Sequence, residues 1–335
     1  MVERIQLILL ENIQLIYKLV IIFLYSYFFT YLVTDRLIPK FKRKGFKVQD
    51  MYKKSKPLIA NLGGMTIFIG VMASLTVSQI LIKDFDISKL LIFYFIAIVF
   101  GTFGLLDDLV DVGKKWKIVV PFFMALPISL LVVDTNINFF STTIELGVLF
   151  SLIIAPIYLM VVTNLVNMHS GYNGLASGLS IILMFFLGLK VLIAQDMVNL
   201  LYLMPIFGAV VAYYKFDKYP SRIIWGNSGS LMVGAAIGGY IILTNSEIFG
   251  IIILIPHIVD FLMFFGYNII GRHRFEKVKY GTTRKDGTVE APTPFKMKFL
   301  FPYFFRLTEK QNVLIMYGLS IVFGIVGLIY NFVLN

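Results

Sequence analysis

Apolar residues run through this chain in blocks of roughly 17 to 25, the length that crosses ~30 Å of hydrocarbon as an α-helix. Ten such blocks stand near residues 12–33, 59–82, 89–106, 117–134, 147–166, 175–194, 197–214, 228–245, 247–271 and 311–333. The pairs at 175–214 and 228–271 are divided by so little polar sequence that each also permits a different count. The pattern predicts an all-α, polytopic membrane protein of about ten transmembrane helices, folded as a single domain over residues 1–335. The polar stretches between them form loops near 34–58, 107–117, 167–174, 215–227 and 271–311.

Charge orients this arrangement. Loop 34–58 holds nine Lys and Arg, 107–117 three, 215–227 three and 271–311 ten, together 25 of the 30 in the chain. With ten spans all four loops share one side, as does 167–174, and positive charge marks the cytoplasm. Both termini are then outside, and the opposite loops are too short for an external domain. The net charge of +11 is thereby accounted for by topology, without nucleic acid as a partner. A chain that is 58% hydrophobic and 16% aromatic, with a mean hydropathy of +0.84, lies well outside soluble composition. The first block is too long for a signal-peptide core and lacks a small-residue cleavage pattern, so it reads as the first span. Cysteine is absent, which excludes disulfides and thiolate metal sites and leaves carboxylates, amides, His, Lys and Arg to carry any chemistry.

The densest candidate chemistry is in 101–117, GTFGLLDDLVDVGKKWK. Asp107 and Asp108 end an apolar block, where a carboxylate can reach water. If the helix persists, Asp107 and Asp111 share a face four residues apart while Asp108 points about 100° away. Convergent carboxylates suit Mg²⁺, which is usually held by one or two of them plus substrate phosphates. The same residues also fit a helix end with mixed charges in a solvated loop. In 164–178, NLVNMHSGYNGLASG, Asn164 and Asn167 share a helix face and the glycines permit close backbone approach to a ligand. An interhelical turn would be built of the same residue types. In 219–234, YPSRIIWGNSGSLMVG, Asn227 or Ser228 can cap a helix, and a helix N-terminus also attracts anions. Arg272, His273 and Arg274 open the last basic loop; topology alone explains them, and paired arginines also suit a pyrophosphate.

Acids, amides with glycines, a helix N-terminus and arginines thus converge on one membrane face. In this order they resemble the polyprenyl-phosphate N-acetylhexosamine-1-phosphate transferases, ten-helix enzymes that move a sugar phosphate from a UDP-sugar to a membrane lipid phosphate. The RHR triplet and the QDMYKK stretch at 49–54 place the resemblance nearer the UDP-N-acetylglucosamine–dolichyl-phosphate type than the bacterial muramoyl-pentapeptide type, whose triple histidine is missing. The resemblance implies Asp107 and Asp108 as the acidic pair and Lys117 as a phosphate contact. It implies Asn167 as a Mg²⁺ ligand, with Asp107 and position 227 completing the metal site and Mn²⁺ as a substitute ion. Asn164 and Asn173 would belong to the nucleotide-sugar motif, with Asp111 and Trp225 among the substrate contacts. Arg272, His273 and Arg274 would grip pyrophosphate and sugar, and Gln49, Asp50 and Asn61 would approach the uridine and sugar.

Two positions depart from the pattern. Asn227 stands where the family has aspartate, an amide that coordinates without charge, and the uracil-stacking aromatic is replaced by Ile224, with Trp225 one place off. The implied activity is Mg²⁺-dependent transfer of N-acetylglucosamine-1-phosphate, or a related N-acetylhexosamine-1-phosphate, to a polyprenyl or dolichyl phosphate with release of UMP. It would be the first membrane step of lipid-linked glycan synthesis, in a prokaryotic cell membrane or the endoplasmic reticulum, with the site cytoplasmic. Transfer of a muramic or talosaminuronic peptide precursor is the alternative, and so is a protein inactivated at Asn227. A secondary transporter coupling ions through Asp107 and Asp108 is a third class, but its site belongs near the bilayer midplane. The sugar, the lipid's length, and a homodimer are left open.

Overall fold

The computed structural model describes residues 2–82, 86–113, 115–139, 142–269 and 280–334. The chain opens with α1 (Val2–Arg43), followed by a two-stranded ribbon of β1 (Lys47–Gln49) and β2 (Leu58–Ala60). Next come α2 (Gly64–Leu81), α3 (Ile87–Val110) and α4 (Trp116–Ala125), which runs into a 3₁₀ turn. A hairpin of β3 (Asn136–Phe139) and β4 (Thr142–Glu145) leads to α5 (Ala155–Met168), α6 (Leu175–Ile193), α7 (Leu200–Asp217) and α8 (Gly226–Leu243). The chain closes with α9 (Glu247–Ile253), α10 (Ile255–Ile269), a small ribbon of β5 (Thr282–Thr283) and β6 (Val289–Glu290), α11 (Met297–Phe304) and α12 (Glu309–Leu334).

Among the described residues eight helices are long and apolar enough to cross a bilayer, and α9 with α10, bent by 65°, can form a ninth span. The bend falls where Pro256 removes a backbone N–H from the helical ladder. The block expected at 117–134 is a shorter apolar helix, Trp116–Leu130, broken where Pro127 enters the 3₁₀ turn. α1 also departs from expectation. It continues for 42 residues, so Lys40, Lys42 and Arg43 belong to its last turn and not to a loop.

α8 is the axis of the bundle, with 89% of its residues buried. Lipid tails are as apolar as leucine, so helices in a bilayer associate through close packing of small residues. α8 and its neighbours supply them at each contact. Gly234 and Gly238 lie against Thr163 and Leu159 of α5, while Gly64 of α2 meets Ser228 and Gly229. On the α3 side, Gly104 touches the backbone of Asn227 and Gly101 touches Met232.

Gly104 tests this packing. Alanine is the better helix former by about 1 kcal/mol, but a Cβ at 104 would overlap the Asn227 carbonyl, and overpacking costs about 1–3 kcal/mol. Gly104→Ala should lower the thermal unfolding midpoint in detergent. Gly266→Ala, at a position with open space around it, should leave the midpoint unchanged or raise it.

Candidate functional site

α3 ends in two acids that take different partners. Asp108 Oδ1 accepts the backbone N–H of Asn227 at 3.0 Å, and its Oδ2 accepts that of Ser228 at 3.1 Å. These belong to the first turn of α8, whose N–H groups have no partner within the helix. A carboxylate from the neighbouring helix therefore caps α8 and faces the positive end of its dipole. The expected cap from Asn227 or Ser228 is not formed; Ser228 Oγ donates instead to the Trp225 carbonyl at 3.0 Å. Gly226 makes room for this arrangement at a φ of +68°, where a side chain would run into the Asp108 carboxylate.

Asp107 turns the other way and is fully engaged. Its Oδ1 pairs with Lys117 Nζ at 2.8 Å and accepts the Val112 N–H at 3.1 Å, while Oδ2 accepts Asn227 Nδ2 at 2.8 Å. The helix does not persist to Asp111. α3 stops at Val110 and Asp111 is its left-handed cap, with φ +46°, so the shared face expected for Asp107 and Asp111 is lost. The two carboxylates meet through Lys117 instead, whose ammonium lies 3.1 Å from Asp111 Oδ1.

The first basic loop is sewn onto this junction by backbone hydrogen bonds. Ala60 N–H donates to the Arg222 carbonyl and Ile224 N–H to that of Ala60, then Gly63 and Gly64 donate to Ile224 and Trp225. This zipper sets Asn61 beside Gly226 and Asp108. Its buried Oδ1 accepts no hydrogen bond among the described residues. Between the loops lies a cavity of about 500 Å³. Gln49, Asp50, Asn61, Asp108, Asn167, Asn173, Trp225 and Asn227 all line it. Asn167 Oδ1 accepts Ser230 Oγ at 2.6 Å, which holds the amide toward α8.

Other expected residues stand elsewhere or in other roles. Asn164 does not line the cavity; its Nδ2 donates to the Met160 carbonyl on its own helix. Asn173 lines the cavity, but its carbonyl oxygen is taken by Lys53 Nζ at 2.9 Å and Ser221 N–H at 3.1 Å. Trp225 lies parallel to Tyr213 with ring centroids 6.0 Å apart, so one of its faces is covered. Arg272, His273 and Arg274 lie outside the described residues.

Sequence reasoning passed over a buried clasp. Lys53 pairs with Asp50 at 3.3 Å and with Glu309, which also accepts the Asn173 N–H at 2.7 Å. It joins the first loop, the α5–α6 loop and the start of α12. A lone glutamate opening the last apolar block was the available signal. Lys296 and Lys298 also line the cavity, although the sequence presented them only as topology charge.

The α3–α8 junction with its acids and amides falls within a segment that matches a known family. Residues 90–245 match the model of glycosyl transferase family 4. Curated relatives extend the similarity beyond this segment. A Saccharolobus solfataricus protein, provisionally named UDP-N-acetylglucosamine–dolichyl-phosphate N-acetylglucosaminephosphotransferase, is 29% identical over 319 residues, 91% of this chain and 94% of its own. A Sulfolobus acidocaldarius protein of the same name is 26% identical over 318 residues, 90% of this chain and 93% of its own. The phospho-N-acetylmuramoyl-pentapeptide-transferase of Clostridium beijerinckii is 29% identical over 213 residues, 57% of this chain and 62% of its own.

Asp108 and the buried His169 each give a measurable outcome. Asp108→Ala leaves two N–H groups of α8 unpaired at about 1–3 kcal/mol each, whereas Asp108→Asn keeps an acceptor. Thermal melts should rank wild type above Asp108→Asn, and that above Asp108→Ala. His169 just beyond α5 provides the second. Burial pushes its imidazole from 6.5 down to about 3, edge-on to His257 with centroids 4.7 Å apart. The unfolded chain takes up a proton near pH 6.5 that the folded one refuses until about 3, so this group's contribution to stability is complete above 6.5 and falls as pH drops. His169→Phe should flatten the decline in unfolding free energy, measured by denaturant titration between pH 6.5 and 4, by up to about 1.4 kcal/mol per pH unit.

Proposed function

We propose that the protein transfers N-acetylglucosamine-1-phosphate, or a related N-acetylhexosamine-1-phosphate, from a UDP-sugar to a polyprenyl or dolichyl phosphate. The observation that carries this reading is the joining of Asp107, Asp108 and Asn227 at the α3–α8 junction beside a polar cavity, in a membrane-embedded segment that matches family 4. The names of its relatives point to the same substrate pair. An oxygen of the lipid phosphate attacks the β-phosphorus of the UDP-sugar, the bond to the bridging oxygen breaks, and UMP leaves. The product is a lipid pyrophosphate bearing the sugar. By charge distribution the cavity opens to the cytoplasm.

The side chains at the junction suit a divalent cation. Among the described residues no three His, Cys, Asp or Glu side chains form a cage. Mg²⁺ seldom needs one, since one or two carboxylates plus substrate phosphates hold it. Asp107, Asn167 and Asn227 would supply oxygens, and the unpartnered Asn61 Oδ1 adds an acceptor close by. When bound, the ion would offset negative charge on the pyrophosphate. The chain's own residues do the rest. Lys117 places a cation against Asp107 where phosphates would gather, Asp108 holds α8 in register, and the amide of Asn227 keeps Asp107 oriented.

Release of UMP from UDP-N-acetylglucosamine, dependent on both Mg²⁺ and polyprenyl phosphate, is the expected result. UMP release without the lipid, or none with any UDP-sugar of a panel that includes muramoyl-pentapeptide precursors, overturns the reading. Asn227 provides a readout other than turnover. Its amide donates to Asp107, so Asn227→Asp sets two carboxylates together and removes the hydrogen bond. The variant should melt lower than wild type without divalent ions, and Mg²⁺ should raise its melting temperature more. An equal Mg²⁺ response would remove position 227 from the metal site.

A further inference from the structure

Three buried side chains from separate elements hold two consecutive residues at the start of α11. Asp260 Oδ1 of α10 accepts the Met297 N–H at 2.7 Å. Tyr172 Oη of the α5–α6 loop and Asn312 Nδ2 of α12 both donate to the Lys298 carbonyl, at 2.9 and 2.7 Å. The three are 6%, 6% and 0% exposed. On either side of Lys298, Met297 and Phe299 are buried in an apolar cluster with Leu175, Leu179 and Val313. Lys298 itself lines the cavity, and its ammonium lies against the backbone of Gly171, where a Cβ would collide with it.

A lysine that serves only as topology charge needs no fixed address, because its long stem can leave the ammonium in water. Here the Lys298 carbonyl accepts from two buried side chains, the preceding N–H of Met297 is held by Asp260, and the side chain lines the same cavity as Asn167, Asp108 and Asn227. An ammonium presented this way is a compact point charge suited to phosphate oxygens.

We propose that Lys298 binds a phosphate group of the substrate inside the cavity. This rests on the transferase reading above. Its position on a wall built from loops, beside Gly171 and Tyr172, favours the nucleotide diphosphate over the lipid phosphate as the ligand. Tyr172 and Asn312 are then positioning residues that act through the Lys298 backbone.

The test uses full-length protein in nanodiscs, with calorimetric titration of UDP and of uridine and the KM for polyprenyl phosphate. Lys298→Gln should weaken UDP binding about ten-fold or more, the size of one charge-assisted hydrogen bond, and leave uridine binding unchanged. Lys298→Arg should recover most of the loss, and Tyr172→Phe, which removes only the hydroxyl that grips the carbonyl, should show a smaller loss confined to UDP. Lys310→Gln, at an exposed position on α12, should bind UDP as wild type does. A raised KM for the lipid with unchanged UDP affinity would support the phosphate site and make the lipid its ligand. Unchanged values for both in Lys298→Gln overturn the proposal. If that variant does not fold, Tyr172→Phe decides in the same way: selective loss of UDP affinity supports the site, and no change overturns it. A wild-type protein that binds neither UDP nor uridine overturns the transferase reading itself, and the proposal with it.

Discussion

The junction depends on one hydrogen-bonded contact, the Asp108 carboxylate against the first N–H groups of α8. A helix that begins inside a protein, beside a bilayer, must find partners for those groups or lose several kcal/mol. Supplying them from α3 ties the central helix to its most closely packed neighbour and fixes Gly226 and Asn227 in space. The glycine contacts along α8 make this approach attainable, since bulkier residues would hold α3 and α2 too far away. Position of the acids and packing of the helices are therefore one constraint.

The same junction divides labour between adjacent acids. Asp108 is committed to backbone, so its oxygens are already occupied by structure. Asp107 accepts one backbone N–H, from Val112, and is otherwise held by Lys117 and the Asn227 amide, two side-chain partners that substrate groups can replace without unfolding a helix. The amide at 227 has a consistent place in this scheme: it donates where an aspartate would repel, and its remaining oxygen stays available. The loss of one negative charge is matched locally by a hydrogen bond.

Around this centre the loops are held by side chains of high commitment. Lys53, Asp50, Asn173 and Glu309 join the first loop, the α5–α6 loop and α12, and Asp260, Tyr172 and Asn312 do the same for the start of α11. Partly and fully buried polar groups of this kind are costly when unpaired. Their pairing sets the shape of a cavity whose walls come from loops, which would otherwise be its least defined part.

Much of this was legible in the residues themselves. Apolar block length located eight spans and the bent α9–α10 pair, because hydrocarbon thickness leaves a helix little choice, while the block at 117–134 became a shorter helix. The acids, amides and glycines were visible because polar residues at the ends of apolar blocks are costly and few. Tertiary structure alone decided their roles. Asp107 and Asp111 looked paired until α3 ended at Val110, a termination that depends on a left-handed cap no local pattern announced. Asp108 became a helix cap, and Asn173 part of a clasp, through partners 119 and 120 residues away along the chain. Lys298 was indistinguishable from the other lysines of its loop. Hydrophobic periodicity records how each segment meets the membrane, whereas a hydrogen bond between distant segments leaves no mark on either one until both are in place.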